Sequence, residues 1–155
     1  FHAHDDDEFS IGDVSVMSRW VPHVGPTLGY RLEWGGRSVA YLSDHQQPGV
    51  GVFETTQGVR DLCTGADVLI HDAQYTREEF AVKSDWGHCT LDYAAWLARE
   101  CGVGTLALFH HDPSHDDRTI DWLRDDLIAR CDDGIRIIAA HEGLTLDLGG
   151  PVGSA

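Results

Sequence analysis

The segment 88–112, HCTLDYAAWLARECGVGTLALFHHD, constrains the fold more than any other part of the chain. After Thr90, which occupies the position of an N-cap, apolar residues recur with helical spacing as far as the stop at Gly102. The run Thr105–Phe109 is short and continuously apolar, which is typical of a strand covered on both faces. The segment therefore predicts a helix, a tight turn and a buried strand, with histidine at both ends.

The rest of the chain predicts strands first and then an alternation of strands and helices. Leu28–Trp34 and residues 37–43 flank Gly35 and Gly36, a pair that suits a type I′ hairpin. The other predicted elements are a β region at 9–20, a short helix at 59–64, a buried strand at 66–70, a helix at 120–131 with Ser114 and Asp117 as its capping box, and closing strands at 135–140 and 144–148. This order predicts an α/β layered fold.

Residues 73–87 are predicted to form a loop with one helical turn. The segment sets the aromatic residues Tyr75, Phe80 and Trp86 among charged residues. Two interpretations stay open, because the aromatics could roof a pocket or could simply hold a surface connection against the core.

Charge and composition exclude several classes of function. The formal net charge is −15, from 26 acidic and 11 basic residues, so the chain would repel a nucleic-acid backbone. No segment is apolar for long enough to cross a membrane, and the N-terminus lacks the basic and apolar regions of a signal peptide. The four cysteines form no CxxC pair, which fits free thiols. We expect a cytoplasmic protein with no membrane partner.

Histidine is abundant in this chain and lies at the ends of predicted strands or in loops. The metal-competent groups at these positions are His23, Asp44, His71 with Asp72, and His110 with His111. Imidazole and carboxylate are the ligands that zinc-type ions favour. Spacing alone leaves open the alternative that each is a polar residue at a strand end.

Several motifs together make the chain resemble the second half of a metallo-β-lactamase-fold hydrolase, nearest the branch of ribonuclease Z and related phosphodiesterases. The motifs, in chain order, are PHVGPTLGYRLE, VAYLSD, ADVLIHDAQY, GHCT and LALFHHD. The resemblance implies an αββα sandwich of which this chain holds mainly the second half. The expected divisions are an acidic segment at 1–8, the partial domain at 9–148 and a loose tail at 149–155.

The resemblance also implies roles for individual residues. His23 and His110 would each bind one metal ion, and the Asp44 carboxylate would bridge both. His88 would handle a proton, oriented by Asp72. The remaining polar residues at the strand ends would line the pocket or orient the ligands: His45, His71, His111 and Asp112.

Two departures from the family pattern stand out. The HEAT-like motif is His71-Asp72-Ala73-Gln74, with a shorter carboxylate than glutamate. The family signature HxHxDH should lie well upstream of His23. The opening HAHDDD has His2 and His4 in the right pattern but Asp7 where histidine is required, and we interpret it as a coincidence; whether His2 and His4 bind metal stays open. We therefore expect a fragment that binds metal weakly and does not turn over substrate alone. Its uncovered apolar face would favour a homodimer or aggregation, and the oligomeric state stays open.

The function implied is a metal-dependent hydrolase that uses a zinc-activated hydroxide. Two zinc ions are expected in the complete protein, although another divalent metal would also suit the ligands. The partner would be a small-molecule ester, preferably a phosphodiester, since the chain is acidic and has no inserted arm between His23 and Asp44 for tRNA. Carboxylic esters, lactones and thioesters are alternatives, and so is a non-catalytic binding domain whose site has decayed.

Overall fold

The computed structural model describes residues 5–131 and 134–149. Over these ranges seven strands form one sheet in chain order, accompanied by four helices. The elements are β1 (Asp7–Ile11), β2 (Val14–Trp20), β3 (Leu28–Trp34), β4 (Arg37–Leu42), α1 (Gln57–Cys63), β5 (Val68–Asp72), α2 (Arg77–Lys83), α3 (Leu91–Glu100), β6 (Thr105–Phe109), α4 (Asp117–Arg130) and β7 (Arg136–Ala139).

The sheet is antiparallel in its first half and parallel in its second. Strands β1 to β4 pair as antiparallel neighbours, whereas β4 to β7 are parallel and are joined by helical crossovers. Parallel strands bring their carboxyl ends to one edge of a sheet, and ligands bind at that edge in open α/β folds. The chain segments after β4, β5 and β6 therefore meet at one edge.

The core lies between the helices and one face of the sheet. The register sets Ala40, Leu69, Leu106 and Ile137 side by side across β4 to β7, and all four belong to one buried cluster that also contains residues of α1, α3 and α4. The strands present their alternate residues to the opposite face. That face leaves large apolar side chains of β2 and β3 substantially exposed: Trp20, Leu32 and Trp34.

Local signals in the sequence mark several element boundaries correctly. Gly35 and Gly36 have φ of 57° and 75°, the left-handed values that a type I′ turn requires. The Thr90 side chain accepts a hydrogen bond from the Tyr93 amide and caps α3, as predicted. The buried strand predicted from the apolar run is β6. Residues 73–87 contain a complete helix, α2, with a capping box at Thr76 and Glu79.

Two predictions for the last third of the chain are wrong. The N-cap of α4 is Asp116, because Ser114 instead donates to Asp112 Oδ1 in the preceding turn. Residues 144–148 alternate like a strand but form none, and they are mostly exposed with no hydrogen-bonded strand beside them. Most of the predicted tail, together with His2 and His4, lies outside the described residues.

The helices are short compared with a membrane span. Within residues 5–131 and 134–149, no helix is long and apolar enough to cross a membrane.

Candidate metal centre

Three potential metal ligands converge at the carboxyl edge of the parallel strands. Asp44 follows β4, His110 follows β6 directly, and His88 lies in the loop before α3. One ligand atom from each lies within 4.8 Å of the other two, the one group of this kind among the described residues. His110 Nε2 lies 3.8 Å from Asp44 Oδ1, and Ser43 Oγ donates to the other carboxylate oxygen of Asp44 over 2.6 Å. Ser43 thus orients the Asp44 carboxylate, which remains partly exposed.

His110 is held in a strained backbone conformation. Its φ is 57°, the one positive value found outside glycine among the described residues, and such a conformation costs roughly 1–3 kcal/mol. The ring stacks on His88 with centroids 4.7 Å apart. Backbone strain of this kind persists where the surrounding structure holds the residue in place, and it is common at functional sites. Here the strained residue carries the imidazole that lies beside Asp44.

His23 stands beside this group and not within it. Its Nδ1 donates a hydrogen bond of 2.7 Å to the carbonyl oxygen of Gly87, which fixes the tautomer and leaves Nε2 as the acceptor. The ring centroid lies 5.5 Å from that of His88. His23 therefore stands at the edge of the group with an unprotonated Nε2, the form of the ring that can bind a metal ion.

Gly87 allows His23 to approach this closely. Its φ is 98°, and a Cβ added there would lie 2.3 Å from Cε1 of His23. We expect Gly87→Ala to displace the His23 ring, to weaken zinc binding about 10-fold, and to cost roughly 1–3 kcal/mol of stability through overpacking beyond the backbone strain. Zinc titration and urea unfolding measure the two effects.

Gly65→Ala is the matched control for this substitution. Gly65 also has a positive φ, 65°, but a Cβ there meets no atom within 4 Å. The variant should lose only roughly 1–2 kcal/mol of stability, the cost of placing alanine in the left-handed conformation, and should keep the parental zinc affinity. Equal zinc affinity in both variants would contradict the positioning of His23 by Gly87.

Asp72 and His88 form a buried pair beneath the centre. His88 Nδ1 donates to Asp72 Oδ2 over 2.7 Å, and the Asp72 carboxylate is fully buried. Burial lowers the pKa of His88, but the hydrogen bond and the charge of Asp72 outweigh it, so the pKa of His88 is raised. The backbone amides of His45, Gln74 and Cys89 satisfy the remaining lone pairs of Asp72. This carboxylate is fixed and cannot turn away from His88.

His45 and His71 lie wholly buried and do not line a pocket. His71 Nδ1 donates to the Asp72 carbonyl oxygen over 2.6 Å, so its Nε2 must accept from His45 Nδ1 over 2.8 Å. Burial, and then the neighbouring imidazole of His71, hold the pKa of His45 well below its usual range. Burial also lowers the pKa of His71. Both rings are neutral near pH 7 and support the backbone that carries Asp72.

His111 and Asp112 lie at the side of the centre nearest α2. Burial lowers the pKa of His111, whose Nε2 is buried and has no hydrogen-bond partner within the described part of the chain. Asp112 accepts from Ser114 Oγ over 2.6 Å and from Lys83 Nζ over 2.9 Å, and these bonds hold its pKa well below the usual range. Lys83 and Gly87 were not among the site residues predicted from the sequence. The available signal was that Lys83 is the one lysine of an acidic chain and lies near aromatic residues.

The fold agrees with the comparison to known families. The model of the beta-lactamase superfamily domain matches residues 2–111. The chain therefore belongs to that superfamily, and the α/β fold of its solved neighbours is the metallo-β-lactamase fold, as predicted.

Particular relatives agree with the ribonuclease Z branch. Ribonuclease Z of Brevibacillus brevis is 38% identical over 94 residues, which are 61% of this chain and 27% of that protein. The metallo-beta-lactamase fold protein YhfI from Bacillus subtilis superposes with a TM-score of 0.71 at 18% identity, over 90% of this chain and 52% of that one. Zn²⁺-bound PqqB from Methylobacterium extorquens gives 0.72 at 19% identity, over 94% and 55%. The chain thus spans about a quarter of the ribonuclease Z and about half of each solved structure.

Proposed function

We propose that the protein containing this chain is a metal-dependent hydrolase of a small phosphodiester. The observation that carries the proposal is the convergence of Asp44, His88 and His110 at one sheet edge, with Asp72 bonded behind His88. If each were only a polar residue at a strand end, the three side chains would have no reason to converge. The similarity to ribonuclease Z adds support for hydrolysis of a phosphodiester.

The donor set fits a zinc-type ion. Apart from His88, it offers the Asp44 carboxylate and the His110 imidazole, with His23 adjacent and its Nε2 not used in the hydrogen bond to Gly87. Asp44, His110 and His23 would hold the metal, which would lower the pKa of a bound water and polarise the phosphoryl oxygen.

His88 is suited to proton transfer. Its Nδ1 is occupied by Asp72, so Nε2 is the atom that faces the reacting groups. The raised pKa favours the protonated ring, which can give its proton to the departing alkoxide oxygen of the ester. Asp72 keeps the ring in the correct tautomer and balances its positive charge before the proton is transferred. His88 therefore acts as the general acid, and Asp72 positions it.

The acidic surface favours a small substrate over a nucleic acid. With a formal charge of −15, the chain as a whole would repel the phosphate backbone of a nucleic acid. A single phosphodiester needs only the local positive charge of the metal site. Carboxylic esters, lactones and thioesters would use the same machinery, so they belong in the substrate panel.

Zinc content and hydrolysis of bis(p-nitrophenyl) phosphate test the proposal on the complete gene product. We expect up to two equivalents of zinc by mass spectrometry, turnover that chelator removes, and recovery when zinc is restored. A protein that binds no zinc and cleaves no ester in the panel would contradict the proposal and would favour a non-catalytic binding domain.

A further inference from the structure

A cation and an exposed aromatic ring lie together at one side of the candidate centre. The Lys83 ammonium lies 4.8 Å from the centroid of the Tyr75 ring and 5.7 Å from that of Trp86. The Trp86 amide donates to the Lys83 carbonyl oxygen over 3.1 Å, so a tight turn at the end of α2 sets both side chains. The lysine and the tryptophan thus form one structural unit, which we call the Lys83–Trp86 unit.

Three connections join the Lys83–Trp86 unit to the candidate metal centre. Tyr75, beneath the ammonium, meets the His88 ring edge-on with centroids 5.9 Å apart. Gly87, the residue after Trp86, accepts the hydrogen bond of His23. Asp112, which binds Lys83, is two residues beyond His110. The Lys83–Trp86 unit therefore lies next to the candidate metal centre.

Two apolar residues of this surface are exposed. Trp86 is 61% exposed and Val24, which lies beside Gly87, is 67% exposed. Tryptophan is enriched at binding interfaces because its ring supplies a large apolar contact area. Such a ring offers a flat apolar face on which another planar ring can stack.

Lys83 keeps capacity to bind an anion despite its ion pair. An ammonium has three N–H donors, and the contact with Asp112 Oδ2 uses one of them. In a chain with 26 acidic residues, the one lysine beside the centre is also the local attraction for a negatively charged group. The unit therefore combines an aromatic face for stacking with a hydrogen-bond donor for an anion.

We propose that Lys83 and Trp86 form a substrate subsite that recognises a planar aromatic ring linked to a phosphoryl group, as in a nucleoside phosphodiester, of which AMP is the hydrolysis product and the binding probe. This inference rests on the proposed function, since it places the scissile phosphodiester at the metal centre. The ring of the substrate stacks on Trp86, and Lys83 donates to an oxygen of the ligand. The subsite would select, among small phosphodiesters, those that carry an aromatic ring.

Calorimetric binding of AMP, adenosine and ribose 5-phosphate to the complete gene product tests the subsite, with and without added zinc. We expect AMP to bind about 10-fold more tightly than ribose 5-phosphate, because stacking on an aromatic side chain adds affinity of that order. Trp86→Ala should weaken AMP and adenosine about 10-fold and leave ribose 5-phosphate unchanged. Equal loss for all three ligands, or no loss, would overturn the stacking role.

Trp122→Ala is the matched control for the tryptophan. Trp122 lies on α4 and is 62% exposed, nearly the exposure of Trp86. It should bind all three ligands as the parent does. If it weakens AMP as much as Trp86→Ala does, the effect is a general one of losing a surface tryptophan and the subsite is refuted.

Lys83 is tested with a pair of variants. Lys83→Met should weaken AMP and ribose 5-phosphate several-fold, with less effect on adenosine, whereas Lys83→Arg should restore most of the affinity. If Lys83→Arg fails as badly as Lys83→Met while both unfold like the parent, the anion-binding role is wrong.

Failure of the subsite and failure of the proposed function give different results. Turnover of bis(p-nitrophenyl) phosphate with unchanged AMP binding in Trp86→Ala would refute the subsite and leave the hydrolase standing. An inactive, zinc-free protein that still prefers AMP through Trp86 would refute the hydrolase and support the stacking surface.

Discussion

Asp44→Asn is expected to lower kcat/KM for bis(p-nitrophenyl) phosphate by about 10³-fold or more, with loss of bound zinc. The variant removes the one carboxylate of the converging group while keeping the shape of the side chain. Metal-assisted hydrolysis draws several kcal/mol from the bound ion, and each ~1.4 kcal/mol corresponds to a tenfold change in rate. Steady-state kinetics together with zinc analysis of the purified variant measure both losses.

Asp61→Asn provides the control for this substitution. The Asp61 side chain on α1 is 37% exposed, close to the 35% of Asp44, so the two variants remove the same charge at similar exposure. The control should retain zinc and turnover. Normal kinetics in Asp44→Asn, or an equal loss in the control, would remove Asp44 from the metal centre.

Asp72→Asn should lower kcat by about 10²-fold to 10⁴-fold while zinc content stays near the parental value. Asp72 bonds His88, the proposed general acid, and not the three residues proposed to hold the metal, so its loss should affect proton transfer and leave the metal in place. In the parent protein, backbone amides donate to both oxygens of the Asp72 carboxylate. The NH2 group of asparagine cannot accept these hydrogen bonds, so we also expect a loss of about 1–3 kcal/mol in stability. Kinetics, zinc analysis and urea unfolding separate these effects.

The pH profile distinguishes a positioning role for Asp72 from a merely structural one. A general acid works while protonated, so activity falls as the pH rises through its pKa. Asp72 raises the pKa of His88, and its removal should therefore move this alkaline fall in kcat to lower pH. A profile that keeps its position while the rate drops would contradict the link between Asp72 and His88.

Combining Asp72→Asn with His88→Ala supplies the second check. If the two residues act as one unit, the double variant should lose little more activity than His88→Ala alone. Losses that multiply would show that Asp72 acts independently of His88.

Short-range patterns in the sequence predicted much of the fold. Strand β6, the cap at Thr90 and the Gly35-Gly36 turn depend on residues within a few positions of one another, which is why periodicity and turn chemistry are sufficient to find them. The same signals were misleading at 144–148, since alternation alone does not create a neighbouring strand to pair with. At Ser114 the capping pattern competed with a turn around Asp112.

The candidate site was predictable as a set of residues but not as an arrangement. Motif order and resemblance suggested His23, Asp44, His88 and His110. No local pattern showed that His45 and His71 are fully buried as a hydrogen-bonded pair, because burial depends on what packs above them. The lone lysine was visible, but its place between Asp112 and two aromatic rings was not.

The sequence by itself determined most of the strands and helices and the Thr90 cap, together with the residue types that can bind metal, because those depend on local propensity and side-chain chemistry. Tertiary structure alone decided that Asp44, His88 and His110 come within 4.8 Å, since this distance depends on the parallel register of β4, β5 and β6. It also decided that Asp72 reaches His88 and that Gly87 leaves room for His23. Contacts between residues far apart in the chain arise from packing, which no local pattern encodes.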